Sequence, residues 1–263
     1  MKIFLSILIL IFFSVQLISS EVVKDSSRTE IVIYKDNGQV KSIINYKNND
    51  LFGKFTSYYK SGQIREKGKY MNNEIQGKWV KYYENGNLKS VSKYKDGQLN
   101  GKYIFYYENG IKQFVEEYEH GKRTGEWKYW YENGALKEIQ YYENQKKTGT
   151  WITYFEDGTK QGEWKYVKSK KEGVWKEWYP NGNIKQETCY SHSKQNGVTK
   201  KYNEDGTLKL EEYYIDNLKN GEWKSYHDNG NISIKGYYKN GNIKTGTWEY
   251  FKPDGTLYHT ENY

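Results

Sequence analysis

The sequence predicts an all-β fold: an elongated, single-layer, twisted antiparallel sheet of about ten consecutive 24-residue β-hairpin repeats, preceded by an N-terminal signal helix. Three observations predict it. A glycine returns every 24 residues with one interval of 25, Asn or Asp precedes it in nine of ten copies, and aromatic residues recur at fixed distances from it. A fixed period of roughly 20 to 50 residues indicates a repeat array. The ten glycines are Gly38, Gly62, Gly86, Gly110, Gly134, Gly158, Gly182, Gly206, Gly230 and Gly255.

Each of these glycines marks a predicted hairpin turn. In one complete copy, Tyr118 to Tyr142, the dipeptide Asn133-Gly134 lies between two apolar runs. Asn-Gly and Asp-Gly tolerate the positive φ angles that tight turns require, so they are a strong hairpin signal. Only Ser61 departs from this pattern. Because the flanking runs are rich in aromatic residues and lack a helical period, we expect strands and not helix pairs.

The aromatic positions predict how the hairpins are stabilised. In the same copy, Trp127 lies seven residues before the turn glycine, Trp130 four before it, and Tyr142 eight after it. A tyrosine occupies the last of these positions in all ten copies. A single hairpin buries too little apolar surface to fold alone, so stability should come from rings shared between neighbouring copies.

A second glycine lies nine residues before each turn glycine except the first. Its regular return, two residues before the large aromatic, predicts a positive φ or a close approach of another backbone. This set is Gly53, Gly77, Gly101, Gly125, Gly149, Gly173, Gly197, Gly221 and Gly246.

Residues 1–20 differ from the rest of the chain. Lys2 is followed by an apolar run from Ile3 to Ile18, and then by Ser19 and Ser20. This order is typical of a secretory signal peptide. A retained single-span anchor and a buried N-terminal helix are the alternatives, although the run is slightly short for a membrane span. Residues 21–28 form a short polar lead, and the repeat array is predicted to occupy residues 29–263.

Composition and charge agree with an extended protein. The hydrophobic fraction is 36% and the mean hydropathy is -1.05, but aromatic residues make up 18% of the chain and are periodic. The net charge is +8, with lysines interleaved among Asp and Glu, which indicates a solvated sheet surface. One lysine cluster is a candidate basic patch for anionic lipid or glycan, and nucleic acid is not expected as a partner. It consists of Lys165, Lys168, Lys170 and Lys171.

The repeated aromatic residues also form the candidate binding surface. We expect those on one face of the sheet to be exposed and to supply contact area at a low entropic cost. They are Trp79, Trp127, Trp151, Trp175, Trp223, Trp248, Tyr83, Tyr131 and Tyr179.

Catalytic chemistry is not predicted. The four histidines fall at unrelated positions of the repeat, and neither a metal-ligand spacing nor a phosphate-binding loop is present. We therefore expect no enzyme activity, no cofactor and no metal. The single cysteine, Cys189, is interpreted as a small half-buried side chain, with a reactive or intermolecular thiol as the alternative.

Two copies depart from the pattern. The copy of Gly158 carries Gly162 and Trp164 in its second strand, and the copy of Gly206 has Thr199 in place of the large residue. Drift within a tolerant array explains both departures, and a bend or a docking site is the alternative.

The stretch Tyr118 to Trp127, Tyr-x-x-Gly-x-x-x-Gly-x-Trp, resembles the MORN repeat, and the Tyr-x-Asn-Gly-x-Leu-Lys that follows resembles its variant form in YwqK-type antitoxins. The resemblance covers about residues 29–263. It implies an elongated sheet of consecutive hairpins, roles in scaffolding and membrane attachment, and no catalytic residues.

Together these features predict an exported, non-catalytic scaffold, periplasmic, secreted or on the cell surface. We expect it to bind another protein or an envelope component. An antitoxin or immunity protein, and a lipid-surface scaffold that uses its lysines, are the alternatives.

Overall fold

The computed structural model describes residues 26–263, and these form one antiparallel sheet without any helix. Successive strands pair with each other along the chain, except that the short strands Glu74–Ile75 and Gln98–Leu99 pair only with the strand before them. The predicted repeat sheet is confirmed, whereas the predicted signal segment at residues 1–20 lies outside the described residues. The strands are Ser27–Ile33 (β1), Val40–Lys47 (β2), Asp50–Tyr58 (β3), Ile64–Met71 (β4), Glu74–Ile75 (β5), Gly77–Tyr82 (β6), Leu88–Lys95 (β7), Gln98–Leu99 (β8), Gly101–Tyr106 (β9), Lys112–Glu119 (β10), Lys122–Trp130 (β11), Leu136–Glu143 (β12), Lys146–Tyr154 (β13), Lys160–Val167 (β14), Lys170–Trp178 (β15), Ile184–Ser191 (β16), Lys194–Tyr202 (β17), Leu208–Ile215 (β18), Leu218–Tyr226 (β19), Ile232–Lys239 (β20), Ile243–Phe251 (β21) and Leu257–Asn262 (β22).

Nine of the ten predicted turns, all but that of Gly38, close by a three-residue loop with a glycine bulge. The carbonyl of Tyr83 accepts a hydrogen bond from the N–H of Gly86, and the N–H of Tyr83 donates to the carbonyl of Asn87. Only the glycine has a positive φ, 87°. Asn85 serves another purpose, because its Oδ1 accepts the N–H of Asn87 at 2.9 Å. The hairpins are thus confirmed, but the residue before the glycine acts through its side chain and not through a positive φ.

The segments between the predicted hairpins are themselves hairpins. β12 and β13 are joined by Asn144 and Gln145 alone, with φ angles of 48° and 67°. Lys168 and Ser169 join β14 to β15 with φ angles of 49° and 67°. A positive φ at both central residues is the two-residue turn that best matches strand twist. The segments between the predicted hairpins therefore continue the same antiparallel sheet.

The second glycine of each repeat is a bulge with the predicted positive φ. Opposite β10, for example, the register shifts between Val115 and Glu117, and Gly125 in β11 has a φ of 65°. All nine glycines of this set have positive φ angles. Because the bulge recurs at the same place, it shifts the alternation of side chains between the two sheet faces in the same way in every repeat.

One sheet face, which we term the ladder face, carries the rings that hold the array together. Trp127, Tyr142 and Trp151 form the buried cluster. The ring of Tyr142 lies 4.8 Å from that of Trp127 in its own repeat and 5.3 Å from that of Trp151 in the next. Tilted and edge-to-face pairs at such distances are favourable. The prediction that closing tyrosines contact the neighbouring repeat is confirmed here.

Candidate interaction surfaces

The tryptophans predicted to be exposed are largely the core of the array. Trp79, Trp127, Trp151 and Trp248 are only 4%, 5%, 5% and 2% exposed. The expected exposed aromatic surface is wrong for these four residues. Neighbouring repeats bring each tryptophan between rings of adjacent strands, so burial against other rings removes the surface that a partner would contact.

The remaining predicted surface residues, Trp175, Trp223, Tyr83, Tyr131 and Tyr179, are half-buried. The three tyrosines link neighbouring repeats, because each hydroxyl donates to a backbone carbonyl 23 residues ahead, at distances of 2.7, 2.8 and 2.9 Å. Their polar atoms are therefore engaged in holding repeats together. A binding role for these five residues stays a prediction.

The predicted basic patch is divided between the two faces. Lys171 lies opposite Tyr166 on the ladder face, with its Nζ 4.2 Å from the ring centroid of Trp175. Lys165 and Lys170 lie on the opposite face, which we term the reverse face, because they pair with Glu172 and Val167. Lys168 lies in the two-residue loop between β14 and β15. These lysines consequently do not form one patch.

Lys171 instead belongs to a periodic set of cations on the ladder face. Arg123, Lys147, Lys171 and Lys244 each lie two residues before a bulge glycine, and each is stacked over a tryptophan and a tyrosine. Cations over aromatic rings are attractive, most strongly where water is displaced. These charges are therefore part of the packing and are less available to a ligand than their number suggests.

The ladder is interrupted in the repeat of Gly206. Thr199 occupies the tryptophan position and pairs with Thr188, both 2% exposed. On its other side it faces Glu212, which is 3% exposed. The hydroxyl of Thr199 has no hydrogen-bond partner among the described residues. A buried polar seam thus replaces the rings here.

Glu212 is held in this seam by three donors. Lys219 Nζ, Tyr214 Oη and Trp223 Nε1 donate to its carboxylate at 2.7, 3.0 and 3.1 Å. Burial raises the pKa of this carboxyl, but the hydrogen bonds and the charge of Lys219 outweigh burial and hold the pKa below its usual value. The carboxylate is therefore a structural anion at neutral pH.

The reverse face carries a continuous row of side chains that crosses the strands. On the first strand of each hairpin, the row residue directly follows the large ladder-face residue, as Val80 follows Trp79. On the second strand, it is the residue that pairs with that row residue, as Val91 pairs with Val80. In the N-terminal half this row is mainly apolar and half-buried, and no other element among residues 26–263 covers it. Its apolar members are Ile43, Val80, Val91, Ile104, Val115, Ile139 and Ile152.

The same row becomes ionic in the C-terminal half. Lys176 and Glu187 pair across strands at 2.9 Å, and Lys200 and Glu211 at 3.5 Å. The hydrogen bond from Lys176 is the largest cause that lowers the pKa of Glu187. Opposite charges face each other on most strand pairs of this half, and where Lys224 faces Lys235 both form ion pairs with Glu222. This half of the reverse face therefore satisfies itself, unlike the apolar half.

Four lysines lie beside the apolar part of the row. Lys54 is directly opposite Lys69, and Lys78 is directly opposite Lys93. All four are exposed. They are not apparent along the sequence, because the two lysines of each pair are 15 residues apart. Pairing the strands around each turn glycine would have revealed them.

The described residues show neither a metal cluster nor a membrane-spanning helix. No group of three or more His, Cys, Asp or Glu within residues 26–263 could hold a metal ion. In the same range, no helix is long and apolar enough to cross a membrane. The expected absence of enzyme activity and of a cofactor stays a prediction.

Comparison with solved structures gives weak matches. The structure titled TcdB2-TccC3 matches with a TM-score of 0.22 and 11% identity over 85% of this chain. That of TcdB2-TccC3-Cdc42 matches with a TM-score of 0.19 and 10% identity over 90% of this chain. The chain spans 14% and 15% of the length of those chains. At these TM-scores the matches support no argument. A search of the curated proteins finds no match.

The comparison with family models is decisive for the repeat. The model of the MORN repeat variant matches nine consecutive segments, whereas the finer resemblance to YwqK-type antitoxins stays a prediction. Such repeats typically form scaffolds that bind protein or membrane and are generally non-catalytic. The segments are 30–48, 53–72, 75–96, 99–120, 123–144, 147–168, 171–192, 195–216 and 219–240. Because these matches cover more than half of the sequence, the chain belongs to the MORN repeat variant family.

Proposed function

We propose that this chain is an exported, non-catalytic scaffold that binds another protein through the apolar half of its reverse face. The observation that carries the proposal is the half-buried row that includes Ile104, Val115, Ile139 and Ile152, which nothing in residues 26–263 covers. A sheet face of this kind is normally buried against a second layer. Contiguous apolar surface on a soluble protein typically marks an interaction site.

Export is the second part of the proposal. It is supported by the apolar run from Ile3 to Ile18 behind Lys2, which has the order of a signal peptide. Fractionation of cells that express the full chain should recover it outside the cytoplasm. A variant that lacks residues 1–20 should stay in the cytoplasm, and equal distribution of the two chains would contradict export.

The binding proposal is tested by capture with matched variants. Ile104→Glu with Ile139→Glu places charges on the apolar row, and Lys176→Gln with Glu187→Gln neutralises a pair on the ionic half. Cross-linked envelope fractions from cells expressing each full-length chain would be compared by mass spectrometry. We expect a partner that wild type and the ionic-half variant capture and the apolar-row variant loses.

Circular dichroism must first show that both variants keep the β-sheet spectrum. Capture of the same proteins by all three chains would contradict the proposal. Flotation of the protein with anionic liposomes that collapses at high salt would favour the lipid-surface alternative. A partner whose toxicity the chain neutralises would favour the immunity alternative.

A further inference from the structure

The four lysines beside the apolar row destabilise the sheet in the absence of a bound partner. Lys54 and Lys69 are direct cross-strand partners, as are Lys78 and Lys93. Like charges directly opposite each other on a sheet are destabilising. Among residues 26–263, no carboxylate forms an ion pair with any of the four ammonium groups.

The repeat does not require this repulsion. In the copy of Gly110, Lys102 faces Glu117, and in the copy of Gly134, Glu126 faces Tyr141. Later copies place a lysine opposite a threonine, a glutamate opposite a tyrosine, or two uncharged side chains opposite each other. Lys224 and Lys235 also face each other, but Glu222 forms ion pairs with both. Lysine pairs without a carboxylate partner are therefore particular to the hairpins of Gly62 and Gly86.

Three of the four lysines border a groove of about 640 Å³. Val80, Val91, Leu88 and Tyr82 line it together with Lys54, Lys69 and Lys78. Val80 is only 7% exposed, so the floor is recessed at this residue. Residues two apart on a strand lie about 6.6 Å apart on the same face, so a second row runs parallel to the lysines at that separation. It consists of Thr56, Lys67, Val80 and Val91, and its apolar members lie beside Lys78 and Lys93.

We propose that this lysine-rimmed groove binds an extended peptide segment of a partner protein in which acidic and aliphatic residues alternate. The inference rests on the proposed function, since it specifies the chemistry of the bound protein. Side chains of an extended peptide alternate between its two sides. A peptide lying along the groove directs its carboxylates to the lysine row and its aliphatic side chains to the recessed floor.

The dimensions agree with a short segment. The four lysines lie on four neighbouring strands about 4.8 Å apart, and three such spacings correspond to about five extended residues. Acidic side chains on this segment remove the repulsion between paired lysines. Complementary charge of this kind gives specificity and faster association.

Two other anionic partners fit less well. A polyanion without apolar groups would contact the lysines and leave the floor formed by Val80 and Val91 unused. Insertion into a bilayer needs apolar side chains that protrude beyond the surrounding charges. Here Val80 is buried beside exposed lysines, which favours a narrow peptide.

The test measures binding of fluorescent peptides to the full chain by anisotropy. The probe is a synthetic peptide that alternates Glu and Leu over about nine residues. We compare wild type with Lys69→Glu and with Lys165→Glu. Lys165 occupies the same repeat position as Lys69, seven residues after its turn glycine, and lies opposite Thr150 instead of a lysine.

We expect the probe to bind wild type and Lys165→Glu within about twofold of each other, and Lys69→Glu about tenfold more weakly, with salt reducing the affinity. Because Lys69→Glu places a carboxylate opposite Lys54, its melting temperature should stay the same or rise, which separates lost binding from lost folding.

Three results would overturn the inference: an equal affinity of both variants, equally tight binding of a peptide of glutamate alone, and Lys69-dependent binding of anionic vesicles without peptide binding. The proposed function is tested separately. If the probe fails but Ile104→Glu with Ile139→Glu still abolishes capture of a partner, the scaffold proposal stands and the groove inference is overturned.

Discussion

The ladder face packs differently around Trp151 and around Thr199, although these residues occupy the same repeat position. Trp151 is buried between the rings of Tyr142 and Tyr166, at 5.3 and 5.0 Å. Thr199 lies in a seam of buried polar side chains and has a hydroxyl without a partner among the described residues. Rings stabilise the first region, whereas hydrogen bonds to a buried carboxylate stabilise the second.

Strand pairing is nevertheless the same in both regions. Gly149 pairs with Tyr166, and Gly197 pairs with Tyr214 in the equivalent register. The turns and glycine bulges therefore determine the course of the backbone, and the ladder residues determine how strongly neighbouring repeats adhere.

Replacing Trp151 by alanine should cost about 3–5 kcal/mol of unfolding free energy, because it removes a buried ring from between two others. Thr199→Ala removes a small side chain at the same repeat position and should cost about 1 kcal/mol or less. Urea unfolding followed by circular dichroism measures both. Similar losses in the two variants would contradict the contrast between rings and seam.

Gly236→Ala should lower the free energy of unfolding by about 3 kcal/mol, which is at the upper end of the usual cost of overpacking a core. A Cβ at Gly236 would lie 2.2 Å from Cδ2 of Trp248, which lies flat against the glycine. The control is Gln140→Ala at the equivalent position opposite Trp127, where a Cβ is already accommodated. We expect Gln140→Ala to lose about 1 kcal/mol of unfolding free energy. A smaller loss for Gly236→Ala than for Gln140→Ala would show that Trp248 can reorient freely.

Glu212→Gln should cost about 2 kcal/mol at neutral pH, because it removes the charge that Lys219 approaches at 2.7 Å. The folded-state pKa of Glu212 lies below the ordinary value of 4.5. Its stabilisation is therefore present above that ordinary value and is lost as the pH falls through the folded-state pKa. Unfolding curves at several pH values should show the two chains converging in acid, and a constant difference would contradict this linkage.

Thr199→Val should have the smallest effect on stability, and it should raise stability, whereas the other substitutions lower it. It keeps the side-chain shape and removes a buried hydroxyl that lacks a partner, so stability should rise by up to about 1 kcal/mol. Thermal melting of this variant beside wild type measures the gain. A loss of stability would indicate that the hydroxyl makes a hydrogen bond within the seam.

Much of the backbone was predictable because local chemistry determines it. Gly134 and Gly125 predict a turn and a bulge, because glycine readily adopts the positive φ angles that these conformations require. The two-residue loop at Lys168 and Ser169 escaped prediction, since neither residue is typical of such a turn. There the flanking strands impose the positive φ angles that the loop residues tolerate.

The candidate sites were less predictable, because exposure depends on neighbouring strands. Trp127 and Trp151 recur like members of a binding surface, but rings from adjacent repeats bury them. Conversely, Lys69 and Lys78 are unremarkable along the chain and become prominent only when pairing brings each opposite another lysine.

The sequence by itself determined the repeat, its hairpins and the glycines with positive φ, because these depend on a few adjacent residues and recur ten times. Only the tertiary structure decided which rings are buried, where the ladder gives way to a polar seam, and which half of the reverse face is left apolar and basic. These properties arise between strands, where one register places together residues that are far apart in the chain.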